Sequence, residues 1–285
     1  MTEAEVVAVV PTMEAGPSPA IAPPIFIGGA GRSGTTLLRV ILDSHSRITC
    51  GPELKVMPVV AQLWADFQTT YAPIVRNYHL DARDIDRLFR DFVEGLLKPL
   101  QARTGKARMA EKSPNNVFYF QHLFRMFPDS AFIHVLRDGR DVIASLLTMD
   151  WRTPEGNPVP YTRSAREAAR YWRRAVEAAR QFARSTAGSS RFHEVRYENI
   201  VARPEPCLQE LFAFLGETWE PDVLRFHERK HPLHAESSAA QVQRMLYNSS
   251  VGRWVTDLSG PDKTAVRAEI GDLLIELGYA HDSGW

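Results

Sequence analysis

The stretch from Ile25 to Asp43, IFIGGAGRSGTTLLRVILD, constrains this chain more than any other. A short apolar run (Ile25, Phe26, Ile27) enters Gly28, Gly29 and Gly31, and a helical pattern opens at Gly34-Thr35-Thr36. A strand, a glycine-rich turn and a helix start, in that order, build an anion cradle from backbone N–H groups and the helix dipole. The expected cradle is Gly31, Arg32, Ser33, Gly34, Thr35 and Thr36, with the threonine hydroxyls as further donors. From Gly29 the spacing follows the nucleoside-triphosphate loop G-x-x-x-x-G-K-[ST], except that Thr35 stands where the lysine belongs. The missing lysine would have reached the β- and γ-phosphates, so a shorter anion is the expected ligand. A P-loop kinase or NTPase is the rival of another class.

Downstream patterning places this loop in an α/β fold. Helical patterns run near 34–44, 54–67 and 82–102; the apolar run 130–138 reads as a buried strand, followed by a helix near 139–149. Ser164 and Glu167 form a capping box that opens a helix to about Arg184. FHEVRYENI (192–200) reads as another buried strand, and helices follow at 207–216 and 262–277. Strands alternating with helices predict a single P-loop-like domain over 25–285, with a central parallel sheet flanked by helices. Residues 1–24, free of Lys and Arg and rich in Pro and Ala, are expected to be a disordered leader. The arginines of 164–184 are expected to form a solvated face paired with Glu167 and Glu177. Trp64, Trp151 and Trp172 are assigned to the core, with an acceptor pocket as the other place for them.

Charge and composition exclude several partners. With 34 basic and 34 acidic residues no global field draws the chain to nucleic acid or an anionic membrane, so an anion site must be local. No stretch approaches the roughly 20 apolar residues of a membrane span. Two cysteines, Cys50 and Cys207, are too few for a disulfide framework and fit a reducing compartment, so the expected location is cytoplasmic. A homodimer is left open.

A local anion site of a second kind follows the 130–138 strand: Arg137-Asp-Gly-Arg140-Asp-Val-Ile-Ala-Ser145. Arg137 falls at the strand's C-terminal edge, where open α/β sheets bind ligands, and its guanidinium suits bidentate capture of a phosphate. Ser145 lies about two helical turns on. Two anion sites at one sheet edge imply a ligand with two separated phosphates.

GRSGTTLL together with VLRDGRDVIAS resembles the paired 5′-phosphosulfate and 3′-phosphate motifs of sulfotransferases that use 3′-phosphoadenosine 5′-phosphosulfate (PAPS). The stretch from Phe26 to Val60 is similar, more narrowly, to tyrosylprotein sulfotransferases. That resemblance implies transfer of a sulfuryl group from PAPS to an acceptor hydroxyl, with adenosine 3′,5′-bisphosphate as product and no metal required. It implies Glu53 as the catalytic base, Arg32 and Lys112 (in EKSP) as stabilisers of developing charge, and Tyr197 (in RYENI) as a phosphate contact. The family's serine-lysine-tryptophan segment falls on Gly252, Arg253 and Trp254, with Ser250 as the nearest hydroxyl. Lys55 keeps a basic acceptor-binding position, whereas Val59 replaces another. The family cysteine that would pair with Cys50 is Ala110, so that disulfide is not expected. The implied acceptor is the phenol of a peptide tyrosine, with a carbohydrate or small-molecule hydroxyl as the alternative.

Overall fold

The structure is a computed structural model, and it describes residues 22–185, 190–231, 236–282 and 284–285. In chain order the regular elements are β1 (Ala22–Gly28), α1 (Thr35–Asp43), β2 (Ile48–Cys50), α2 (Met57–Gln68), α3 (Ala72–Arg76), α4 (Ala82–Thr104), β3 (Arg108–Lys112), α5 (Phe120–Met126), β4 (Ala131–Leu136), α6 (Gly139–Leu146), α7 (Ala165–Ser185), β5 (Phe192–Arg196), α8 (Tyr197–Ala202), α9 (Pro204–Leu215), α10 (Ala239–Val242), α11 (Trp254–Asp257) and α12 (Gly260–Glu276). The strands form one sheet in the order β2-β3-β1-β4-β5, and every pairing is parallel.

Alternate residues of the central strands feed two apolar cores, as a parallel sheet covered on both faces requires. On β1, Phe26 joins the core that holds α2, α4, α7 and α12, while Ile25 and Ile27 join the one that holds α1 and α9. On β4, Phe132 packs with Phe182 of α7 at 5.0 Å between ring centroids, and Ile133 and Val135 face the other way. Trp64 and Trp172 are buried in the first core, as expected.

Several sequence expectations are corrected here. β1 begins at Ala22, ahead of the strand read from its apolar triplet, so residues 22–24 belong to the domain; residues 1–21 of the expected leader lie outside the described residues. The stretch 192–200 is strand only to Arg196, after which Tyr197–Ala202 turns into helix. β5 is an edge strand, half-buried at most positions, and among the described residues no further strand pairs with it. The arginines of α7 do pair within their helix (Arg170 with Glu167, Arg173 with Glu177). They also bridge to the acids of α12, where Arg170 meets Glu269, Arg173 meets Asp272 and Arg180 meets Glu276. That face is a helix–helix seam as well as a solvated one.

Candidate active site

A cavity of about 500 Å³ opens at the C-terminal edge of the sheet, above the ends of β1, β3 and β4. Its floor is the turn between β1 and α1. Gly34 takes φ 99°, a left-handed conformation that costs an L-residue roughly 1–2 kcal/mol, and a Cβ there would lie 2.5 Å from the Tyr197 ring. Glycine is therefore required at this point for the chain to turn and for α8 to close against it. Two of the expected cradle donors bond within the protein. Gly31 gives its N–H to the Tyr171 hydroxyl at 2.9 Å, and Ser33 gives its own to the Ala30 carbonyl. The N–H groups of the helix start, at Gly34, Thr35 and Thr36, have no partner within the helix.

The second anion site folds onto the same cavity. Arg137 follows β4, donates to the Arg32 carbonyl at 2.9 Å and the Ser250 carbonyl at 2.5 Å, and lies 4.4 Å over the Tyr197 ring. Ser145 on α6 accepts from Arg32 Nε at 3.0 Å, while Arg32 Nη1 reaches Ser237 at 3.0 Å and Ser238 at 2.8 Å. Burial, with Arg137 and Arg253 nearby, lowers the pKa of Arg32. The structure therefore gathers Arg32, Arg137, Ser145, Tyr197 and Ser250 on one wall, and Arg32 leans toward Ser145. Ser33 Oγ and Arg137 Nε are buried without a hydrogen-bond partner among the described residues, and Ser33 lies outside the cavity lining.

Asp141, within the Arg137–Ser145 segment, pins the returning segment. Its carboxylate accepts from the backbone N–H of Gly252 at 2.8 Å and of Trp254 at 3.0 Å. Arg253 is thereby brought to the cavity wall, with its Nε tied to Asp257. Trp254 faces elsewhere: its ring stacks under Arg140 at 4.2 Å and meets Trp285, away from the cavity lining. Gly252 is exposed and likewise outside the lining.

Opposite the arginines stands a cation that the loop itself lacks. The register pairs Lys112 with Ile27, so β3 delivers its side chain beside the turn. Lys112 is wholly buried, and its Nζ lies 3.3 Å from Thr36 Oγ1 and 3.1 Å from Glu53 Oε2. Glu53 keeps about a fifth of its side chain exposed (22%) and faces the cavity, as does Lys55, whose N–H is held by Ser113 Oγ. Two strand residues before Ser113, Glu111 is buried; burial pushes its carboxyl up to about 7, although Asn116 and Ser113 donate to it. The remaining wall is aromatic. Tyr161 and Tyr171 stack at 4.2 Å, and Trp151 lies against Gly31 and edge-on to Tyr161, so of the three tryptophans Trp151 alone lines the cavity.

A parallel α/β sheet with a phosphate-type turn and an arginine–serine pair at the same edge places the chain in the P-loop-like class of α/β proteins. A profile of the Sulfotransferase family matches residues 23–221, and the chain belongs to that family. It is similar to the protein-tyrosine sulfotransferase of Drosophila melanogaster (28% identical over 265 residues, 90% of this chain and 52% of that protein). It is similar also to protein-tyrosine sulfotransferase 2 of Gallus gallus (29% over 266 residues, 90% of this chain and 69% of that protein). The chain thus spans about half the length of the Drosophila relative. In structure it resembles the sulfotransferase domain from the curacin biosynthetic pathway (TM-score 0.62, 25% identity, 88% of this chain and 97% of that one). The sulfotransferase domain of the Synechococcus PCC 7002 olefin synthase shares the fold (TM-score 0.60, 20% identity, 90% and 98%).

Proposed function

We propose that this protein moves the sulfuryl group of PAPS to the phenol of a peptide tyrosine. The observation that carries the reading is the Lys112–Glu53 pair, held 3.1 Å apart beside Thr36 at the start of α1. A loop lysine is needed to bind the far phosphates of a triphosphate; here β3 supplies the cation instead, at the point where a 5′-phosphosulfate would meet the helix start. In the proposed step the phenol oxygen attacks sulfur, its proton passes to Glu53, and the S–O bond to the 5′-phosphate breaks. Adenosine 3′,5′-bisphosphate leaves with the electron pair. Lys112 and the helix N-terminus stabilise the charge that grows on the leaving oxygen. Arg137, Ser145 and Arg32 hold the 3′-phosphate, with Tyr197, Ser250 and Arg253 around them.

The aromatic wall of Trp151, Tyr161 and Tyr171 suits a ring-bearing acceptor, since offset rings attract beyond their buried area. Lys55 would face acidic residues flanking the tyrosine. Val59, 64% exposed beside Pro58 at the mouth, lends no charge to a peptide and favours a small phenol as the second reading. Glu53→Gln tests the assignment of the base. Turnover of a tyrosine peptide should fall on the order of 10²-fold or more, with affinity for adenosine 3′,5′-bisphosphate nearly unchanged. Full activity in that variant would remove Glu53 from the chemistry.

A further inference from the structure

A second carboxylate, Glu236, meets the Lys112–Glu53 pair from the far side. It stands apart in sequence from every motif described above, and its side chain is 2% exposed. One oxygen, Oε1, accepts from Lys112 Nζ at 3.4 Å and from the backbone N–H of Glu53 at 3.1 Å, and it forms an ion pair with Arg39, whose Nε lies 3.3 Å away. Arg39, wholly buried on α1, also donates to the Cys50 carbonyl at the end of β2, from which the chain runs on to Glu53. Glu236 therefore ties together the helix that carries the phosphate turn, the strand end that presents Glu53 and the strand that delivers Lys112.

A lysine ammonium is a point charge on a flexible stem with three protons to give. Thr36 Oγ1, Glu53 Oε2 and Glu236 Oε1 account for all three. The third contact fixes the ammonium between the loop and Glu53; with only two, the stem can swing. We propose that Glu236 is a positioning residue for sulfuryl transfer, holding the Lys112 ammonium and the backbone of Glu53 in the geometry that the reaction needs. The proposal rests on the roles given to Lys112 and Glu53 above. The neighbouring serines extend the same strap, since Ser237 and Ser238 grip Arg32.

Glu236→Gln alone removes the buried carboxylate that pairs with Arg39 at 3.3 Å, so Arg39→Met/Glu236→Gln is the second variant; replacing both members of a buried pair is often neutral to stability, whereas removing one is strongly destabilising. PAPS-dependent sulfation of a tyrosine peptide, calorimetric binding of adenosine 3′,5′-bisphosphate and the melting temperature are measured for both variants and for Glu53→Gln. A misplacement of about an ångström at reacting groups costs up to about 10²-fold. The folded double variant should thus lose roughly 10- to 100-fold in kcat, with KM for PAPS and affinity for the bisphosphate within about twofold of the parent. An unchanged kcat would overturn the proposal, as would a joint fall of kcat, bisphosphate affinity and melting temperature, which marks a merely structural role. Glu53→Gln separates the two levels. If it is inactive while the double variant is not, Glu236 fails and the base stands; if it is fully active, the base reading fails and the proposal with it.

Discussion

Lys112→Met removes the charge at the centre of the site and keeps most of the stem. The side chain is wholly buried, and its ammonium contacts Thr36, Glu53 and Glu236. Two effects follow, and the structure sizes each. Breaking a buried ion pair by removing one partner costs about 3–5 kcal/mol when the other charge is stranded. Glu236 retains Arg39 at 3.3 Å, and Glu53 retains water over part of its surface, so the lower end, about 3 kcal/mol, applies. At roughly 2–4 °C per kcal/mol for a chain of this size, the melting temperature should drop by about 6–12 °C. The catalytic effect is separate. Losing one preorganised donor to a developing oxyanion costs on the order of 10²–10³ in kcat. Rapid-quench measurement of sulfuryl transfer, below the variant's melting point and at saturating PAPS, reads that loss directly. A folded Lys112→Met protein with kcat within about threefold of the parent would refute the placement of Lys112 at the leaving oxygen.

Gly34→Ala puts a methyl group into left-handed backbone and 2.5 Å from the Tyr197 ring. The strain alone, roughly 1–2 kcal/mol, predicts an affinity for adenosine 3′,5′-bisphosphate about 5- to 30-fold weaker by calorimetry; unchanged affinity would mean that the turn does not form the ligand's floor. Glu111 has a folded pKa of about 7 against an ordinary value of 4.5, raised by burial. Its contribution is fully present below pH 4.5 and lost as pH rises through 7, a swing of up to about 3 kcal/mol. Glu111→Gln should therefore flatten the fall in melting temperature between those pH values, and a parallel fall in parent and variant would show that Glu111 is not its source.

The turn of 28–36, the strand β4 and Arg137 with Ser145 were legible because local pattern fixes them: glycines where the backbone turns sharply, a run of apolar residues, an arginine at a strand end. β3 was not legible. Its sequence, Arg-Met-Ala-Glu-Lys, reads as surface, yet all five residues are buried. Arg108 and Lys112 are satisfied by partners remote in sequence, the first by the Leu215 carbonyl and Glu217 and the second by Glu53 and Glu236, while Glu111 is held by the nearby Asn116 and Ser113. No periodicity announces such a strand, because its burial depends on tertiary contacts. The same holds for Glu236 and for Tyr171, whose hydroxyl occupies the Gly31 N–H. The resemblance supplied Lys112 without saying which element carried it. Trp254 shows the converse: the resemblance assigned it to the nucleotide site, and in the structure its ring stacks on Arg140 outside the cavity lining.

The measurement closest to the central claim is thermal shift of the protein with adenosine 3′,5′-bisphosphate, with AMP, and with ATP in the presence and absence of Mg²⁺. A ligand at about 100 times its Kd stabilises by about 2.7 kcal/mol, a shift of roughly 5–11 °C here. The account predicts that shift for the bisphosphate, undiminished by a chelator, and little for AMP, which lacks the group that Arg137 and Ser145 are placed to hold. Stabilisation by ATP with Mg²⁺ alone would contradict it and return the cavity to a nucleoside triphosphate.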